Sequence, residues 1–194
     1  MSTLFSPFQL KSVTLRNRIG ISPMCLYQAD EGVAGDWHLV HYGARAAGGA
    51  GLIIVEGAAV AANGRTSPHD LGLWADWQIK PLAQVIRFIK AQGAVPGLQI
   101  GHAGRKASCA RPWEGGGHLD AEAGGWPLVA PSALAFGGAL PRVPAEMTAQ
   151  EIRETQAAFA AAAARARQAG VEWLEIHAAH GYLAHSFYSP LTNR

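Results

Sequence analysis

Charge is scarce in this sequence, and so are cysteines and long apolar runs; each shortage excludes a class of protein. Only 15% of the 194 residues are charged, the formal net charge is +2, and the Lys and Arg residues are dispersed. A nucleic-acid-binding protein would gather its basic residues in a patch or stripe, so nucleic acid is not an expected partner. No apolar run approaches the roughly 20 residues of a membrane span, so no membrane partner is expected either.

The start of the chain and its cysteine content indicate a cytoplasmic protein. Residues 1–8 have neither the basic region nor the apolar stretch of a secretory signal peptide. The two cysteines, Cys25 and Cys109, are far apart, and neither has a second Cys at the spacing of a CxxC metal or redox pair. In a reducing compartment we expect both to be free thiols.

Short apolar runs alternate with longer helical segments, a pattern that is typical of successive βα units within one domain, here 1–194. After a possible hairpin over 8–15, we predict strands at 19–22, 51–56, 95–100 and 171–176 and helices at 37–47, 74–92 and 148–169. The stretch 101–147 is rich in Gly and Pro. A loop of that length in a compact domain usually serves function, so we interpret it as an excursion over the active-site face.

Four βα units are compatible with a (β/α)8 TIM barrel seen in part or with an open doubly wound sheet. The GxGxxG fingerprint of a dinucleotide-binding sheet is absent after the first strand, which favours the α/β barrel. Active sites of barrels lie at the carboxyl ends of the strands. Chemically capable residues lie at the end of each predicted strand or follow it: Cys25 and Tyr27, then Glu56, then Gln99 and His102, then His177, His180 and Tyr182.

The cluster after the fourth strand is the most informative of these. His177 and His180 could donate hydrogen bonds to an oxygen on which negative charge develops, and Tyr182 could supply a proton. Such a set suits a reductase that adds hydride to one carbon and a proton to its neighbour. The same histidines could instead be a structural pair, or zinc ligands of a barrel hydrolase, although no His-x-His motif on the first strand supports a metal site.

Together, the segments 22–27, 55–57, 99–106, 130–132 and 175–183 resemble the old yellow enzyme family, in its thermophilic-like branch close to the xenobiotic reductases. The resemblance covers the whole chain in order. It implies the N-terminal half of a (β/α)8 barrel with FMN at its carboxyl mouth. The FMN would be reduced by NADPH or NADH and reoxidised by the activated C=C bond of an α,β-unsaturated carbonyl or nitro compound.

The resemblance also implies which residues contact the flavin. Pro23, Met24 and Cys25 would line the isoalloxazine, and the Cys25 thiol would tune it. Gly57, which stands where the family is expected to have alanine, would approach the flavin by its backbone. Gln99 would bond the pyrimidine edge, for which a carboxamide offers both a donor and an acceptor.

For the substrate, the resemblance implies that His177 and His180 hold the carbonyl oxygen, Tyr182 gives the proton and Tyr27 helps in binding. Members of the family are about twice as long, and the second half carries an arginine near the flavin and the phosphate-binding loops. We therefore expect a homo-oligomer or a missing C-terminal half-barrel. The alternative function is a truncated, non-catalytic half-barrel that self-associates or binds a partner.

Overall fold

The computed structural model describes residues 3–194, and its strands and helices follow the alternation expected from the sequence. The strands are β1 (Phe8–Leu10), β2 (Val13–Leu15), β3 (Gly20–Ile21), β4 (Leu52–Ala59), β5 (Val95–Gly101), β6 (Val129–Ala130), β7 (Ala145–Glu146) and β8 (Trp173–Ile176). The helices are α1 (Asp36–Ala47), α2 (Ile79–Ala91), α3 (Ala149–Gln168) and α4 (Leu183–Tyr188).

Four parallel strands form the central sheet in the order β3-β4-β5-β8. The run Leu-Ile-Ile-Val of β4 is buried on both faces, as is usual for a parallel strand between two layers. The register between β4 and β5 shifts between Val55 and Ala58. Such a bulge redirects side chains at the end of a strand. The buried Glu56 and the partly exposed Gly57 both lie within this shift.

The helices α1, α2 and α3 cover one face of the sheet and form the main core with it. The predicted apolar stripe of α2 is buried as expected, at Leu82, Val85, Ile86 and Ile89. Each side chain of this size contributes about 1.5–3 kcal/mol on full burial. On the other face, a smaller core joins the β1–β2 hairpin to Leu52, Ile54 and Val95. No helix within 3–194 is long and apolar enough to cross a bilayer.

Two of the boundaries that differ from the predicted ones have identifiable reasons. The second helix begins at Ile79, because Asp76–Gln78 form a 3-10 turn before it. The fourth strand begins at Trp173, because the amide of Val171 still bonds the carbonyl of Ala166 at 3.1 Å and closes helix α3. Helix α3 itself begins as predicted, with Thr148 and Glu151 forming a capping box.

Within the excursion 101–147, arginine side chains donate hydrogen bonds to backbone carbonyls and fix its internal path. Arg142 donates to the carbonyls of Leu119 at 2.7 Å and Trp126 at 3.0 Å, and Arg105 donates to that of Ala135 at 3.1 Å. Strands β6 and β7 pair with each other inside it. The indole of Trp126 donates to the carbonyl of Asn63 at 2.9 Å. The excursion is therefore an ordered layer attached to the rest of the chain.

Candidate active site

A cleft of about 260 Å³ opens at the carboxyl ends of the central strands. We call it the strand-end cleft. It is lined by Pro23, Cys25, Gly57, Ala58, Ala59, Gly64, Thr66, Asp70, Gln99, Gly101, His102, Ala103, His177, His180 and Tyr182. The parallel strands end at one edge of the sheet, so residues distant in sequence meet there.

Seven of the nine predicted site residues line this cleft: Pro23, Cys25, Gly57, Gln99, His177, His180 and Tyr182. Met24 is not among the lining residues, and its side chain is 53% exposed. Tyr27 also stands outside the lining set, where its ring meets the edge of Trp113 from the excursion at a centroid distance of 5.6 Å. The structure thus brings most of the predicted set together and leaves these two at its margin.

The residues after β8 form a tight cluster of three rings. The amide of His177 continues the sheet by donating to the carbonyl of Ile100 at 2.9 Å. The chain then turns through His180, whose φ of 56° lies in the left-handed region. As a result, His177 Nε2 lies 3.1 Å from His180 Nδ1, and the His177 ring stacks on Tyr182 with centroids 4.2 Å apart and planes 16° apart.

The hydrogen bonds of this cluster define its tautomers. His177 Nδ1 accepts a bond from the amide of Ala179 at 3.4 Å, so a neutral His177 carries its proton on Nε2 and donates it to His180 Nδ1. A neutral His180 then carries its own proton on Nε2. In this arrangement His180 Nε2–H is the donor left for a ligand, and His177 becomes a second donor once the contact between the rings opens.

The surroundings of His177 and Tyr182 favour the uncharged forms of both side chains, which can donate hydrogen bonds. Desolvation, followed by the neighbouring His180, lowers the pKa of His177, so its imidazole is neutral near pH 7. Burial raises the pKa of Tyr182, so its phenol keeps its proton. Lys106 lies beside the cluster: its Nζ donates to the carbonyl of His180 at 3.1 Å and is 5.6 Å from the Tyr182 ring centre.

Cys25 brings a protonated thiol to the cleft. The residue as a whole is exposed, but the protein atoms around its thiol desolvate it, and the carboxylates of Asp70 and Glu56 add to the effect. Together they raise the pKa of Cys25 to about 12. The thiol is therefore not a thiolate nucleophile at neutral pH. Both cysteines are free, as predicted.

Gln99 stands on β5 beside Gly57 of the neighbouring strand. Its Nε2 donates to Glu175 Oε1 on β8 at 2.7 Å. A Cβ at position 57 would lie 3.1 Å from Gln99 Oε1, so the missing side chain keeps the space beside the carboxamide open. In this part of the cleft the backbone of Gly57 is accessible, and the carboxamide of Gln99 is held beside it by its bond to Glu175.

Thr66, Asp70 and His102 also line the cleft; the sequence placed only His102 at a strand end and did not indicate Thr66 or Asp70. Asp70 is buried and accepts bonds from the Thr66 amide at 2.6 Å and the Ser67 hydroxyl at 2.8 Å. Burial raises its pKa despite these bonds. A Thr-Ser pair just ahead of an Asp is a recognisable turn signal, and it could have drawn attention to this segment.

His102 is the most deeply buried histidine of the cleft. Its Nδ1 accepts a bond from the amide of Gly104 at 3.0 Å, and burial lowers its pKa to about 4. It is therefore neutral at physiological pH. Across 3–194, no three His, Cys, Asp or Glu side chains lie together as a metal-ligand set would require.

By sequence, this chain is similar to flavin-dependent oxidoreductases. A family model described as NADH:flavin oxidoreductase / NADH oxidase family matches residues 3–194. An NADPH dehydrogenase of Listeria monocytogenes is 48% identical over 100% of this chain and 53% of its own length. The chain spans about half the length of the curated relatives it matches.

Solved structures give the same picture of the fold. Morphinone reductase in complex with tetrahydroNAD matches with a TM-score of 0.86 and 30% identity, over 100% of this chain and 54% of its own. An old yellow enzyme homologue from Zymomonas mobilis matches with a TM-score of 0.83 and 28% identity, over 100% of this chain and 53% of its own. These matches confirm the fold prediction: the four βα units are about half of a (β/α)8 barrel.

Proposed function

Because the chain belongs to the NADH:flavin oxidoreductase / NADH oxidase family, we propose that the strand-end cleft is the FMN site of an ene-reductase of the old yellow enzyme type. NADPH or NADH is the reductant, and the acceptor is the activated C=C bond of an α,β-unsaturated carbonyl or nitro compound. The observation that carries the proposal is the meeting of Cys25, Gln99, His177, His180 and Tyr182 in one cleft.

The residues present fit a flavin. Gly57 and Gly101 leave a floor without side chains, on which a flat ring system can lie close to the backbone. Gln99 Oε1, at the edge of that floor, suits the N–H of a pyrimidine ring. Pro23 and the Cys25 thiol supply an apolar wall. Bound there, FMN would supply hydride transfer, while the protein positions it and the substrate.

His180 and His177 would hold the substrate's carbonyl or nitro oxygen. Each imidazole would donate an N–H group to the oxygen that gains negative charge when hydride adds to the alkene. One oriented donor of this kind contributes about 2.7–4 kcal/mol in comparable sites. The contact of 3.1 Å between the two rings aligns His180 before substrate binds.

Tyr182 would give the proton to the alkene carbon that does not receive hydride. Its phenol keeps its proton because burial raises its pKa, and transfer becomes favourable when the neighbouring carbon gains electron density. The stack on His177 fixes the direction of its ring. Tyr27, at the margin, would contact the far end of the substrate, and Met24 would border the flavin from outside the lining set.

The half-barrel has two open sheet edges, β3 and β8. On β8, Leu174 and Ile176 are exposed apolar residues. Open edges of this kind need a cover. The cover would be a further half-barrel, from the same protein or from a second copy. The exposed β8 residues also favour a second candidate, a non-catalytic half-barrel that only associates; such a protein would be colourless and would take up no added FMN.

Tyr182→Phe tests the mechanism, because Phe keeps the ring that stacks on His177 and removes only the hydroxyl group that carries the proton. We expect slower reoxidation of the reduced flavin by an enone, by about 10²-fold or more, with unchanged reduction by NADPH. Stopped-flow absorbance at the flavin band measures both half-reactions. Equal alkene reduction by the variant and the parent protein would remove Tyr182 from the proton-donor role.

A further inference from the structure

Beneath the cleft, a buried acid–base pair takes no part in the chemistry proposed above. His38 on α1 and Glu56 on β4 are each 1% exposed, and His38 Nε2 lies 3.1 Å from Glu56 Oε1. Burying such groups is costly unless they are paired and bonded. A pair retained in the core beneath an active site therefore calls for a structural reason.

The tautomer of His38 follows from its other nitrogen. His38 Nδ1 accepts a bond from the amide of Gly35 at 3.0 Å, which leaves the proton of a neutral ring on Nε2, facing Glu56. The N–H is not aimed squarely at Glu56 Oε1, and neither atom has another hydrogen-bond partner within 3–194. The contact between His38 Nε2 and Glu56 Oε1 therefore depends on electrostatic attraction between these two atoms.

The second oxygen of Glu56 reaches the chain segment that carries the thiol. Glu56 Oε2 accepts the amide proton of Leu26 at 2.8 Å. Leu26 lies between Cys25, which lines the cleft, and Tyr27, whose φ of 56° is in the left-handed region. For a residue other than glycine this conformation needs support from its surroundings. The carboxylate provides that support at the neighbouring amide.

Glu56 itself is fixed from two further directions. Its backbone amide donates to Tyr42 Oη on α1 at 2.9 Å. It also lies at the register shift between Val55 and Ala58, next to Gly57, the predicted backbone contact of the flavin. One residue thus joins helix α1, the end of β4 and the segment with Cys25 and Tyr27.

We propose that Glu56, held by His38, is a positioning residue that sets Cys25 and Tyr27 against the flavin and the substrate. This inference rests on the proposed function. Glu56 touches neither reactant; it acts through the Leu26 amide. Removing its carboxylate would release the segment 23–27 and leave His38 Nε2 without the carboxylate that faces it.

The first test is hydrogen exchange at the Leu26 amide, which needs no flavin. In the whole protein, Glu56→Leu should speed exchange at Leu26 by about tenfold or more, the factor that corresponds to a lost bond of about 1.4 kcal/mol. Glu56→Gln keeps an acceptor and should restore most of the protection. Leu82→Ala, a core variant that lowers stability elsewhere, serves as the matched control and should not speed exchange at Leu26 selectively.

The second readout is the absorbance spectrum of bound FMN in the same variants. We expect a shifted flavin band in Glu56→Leu, a band close to that of the parent in Glu56→Gln, and the parent band in Leu82→Ala. Unchanged exchange at Leu26 in Glu56→Leu would overturn the inference, and so would faster exchange with an unaltered flavin band. If the parent protein takes up no FMN, the proposed function fails, and the exchange measurement still decides whether Glu56 holds the segment.

Discussion

Replacing His180 by Ala removes the imidazole whose Nε2–H is left free by the hydrogen bonds of the cluster. The loss of one such donor costs about 2.7–4 kcal/mol in the transition state, which is about 10²–10³-fold in rate. His180 is exposed, and its backbone carbonyl, which accepts the bond from Lys106, remains in the variant. We therefore expect little change in the free energy of unfolding, within about 0.5 kcal/mol.

The assay is a single turnover in the whole protein. Flavin reduced beforehand is mixed with an enone, and reoxidation is followed by absorbance. Reoxidation by dioxygen is the internal control. It needs no hydrogen bond from His180 to a carbonyl oxygen, so its rate should not change. His180→Asn is the matched variant: Asn tolerates the left-handed backbone at this position and offers an amide donor, so it should recover a large part of the loss. If His180→Ala were reoxidised by the enone at the parent rate, the assignment of His180 to the substrate oxygen would be refuted.

Two further predictions concern the margin and the floor of the cleft. Trp113→Ala removes the ring contact, with centroids 5.6 Å apart, that supports Tyr27. Loss of a contact worth about 0.5–1.5 kcal/mol should raise KM for an enone several-fold and leave kcat nearly unchanged. A lowered kcat at constant KM would contradict this prediction. His102, with its pKa lowered to about 4, is neutral in the fold but charges in the unfolded chain below about pH 6.5, so stability should fall as pH drops from 6.5 to 4. The loss from this group is about 3 kcal/mol, and urea unfolding of His102→Asn should show a correspondingly weaker dependence on pH; an equal dependence in both proteins would exclude His102 as its source.

Much of the fold was predictable because it follows local rules. The spacing of Leu82, Ile86 and Ile89 marked the buried stripe of α2, and the Thr148–Glu151 pair marked the start of α3. The path of the excursion 101–147 could not be predicted from such local rules. Its path depends on Arg105 and Arg142, which bond carbonyls that are 16 to 30 residues away in sequence, and no periodicity encodes those contacts.

The candidate site likewise has a part that the sequence predicts and a part that it does not. Residues near or directly after the carboxyl ends of strands, such as Gln99 and His177, could be assigned to one edge of the sheet, because parallel strands end together. The hydrogen-bond partners of their side chains could not be predicted from the sequence. The bond from Gln99 to Glu175 and the contact between His177 and His180 depend on rotamers and on the turn at 180. The link from Glu56 to Leu26 depends on a register shift that the sequence does not display.

We propose that the strand-end cleft houses a flavin that passes hydride from a nicotinamide to an activated alkene. The most direct test is anaerobic absorbance spectroscopy of the whole protein after incubation with FMN, first with NADPH and then with an enone. We expect a yellow protein whose flavin band is bleached by NADPH and restored by the enone. A protein that takes up no FMN, or a bleached flavin that the enone leaves unchanged, would contradict it.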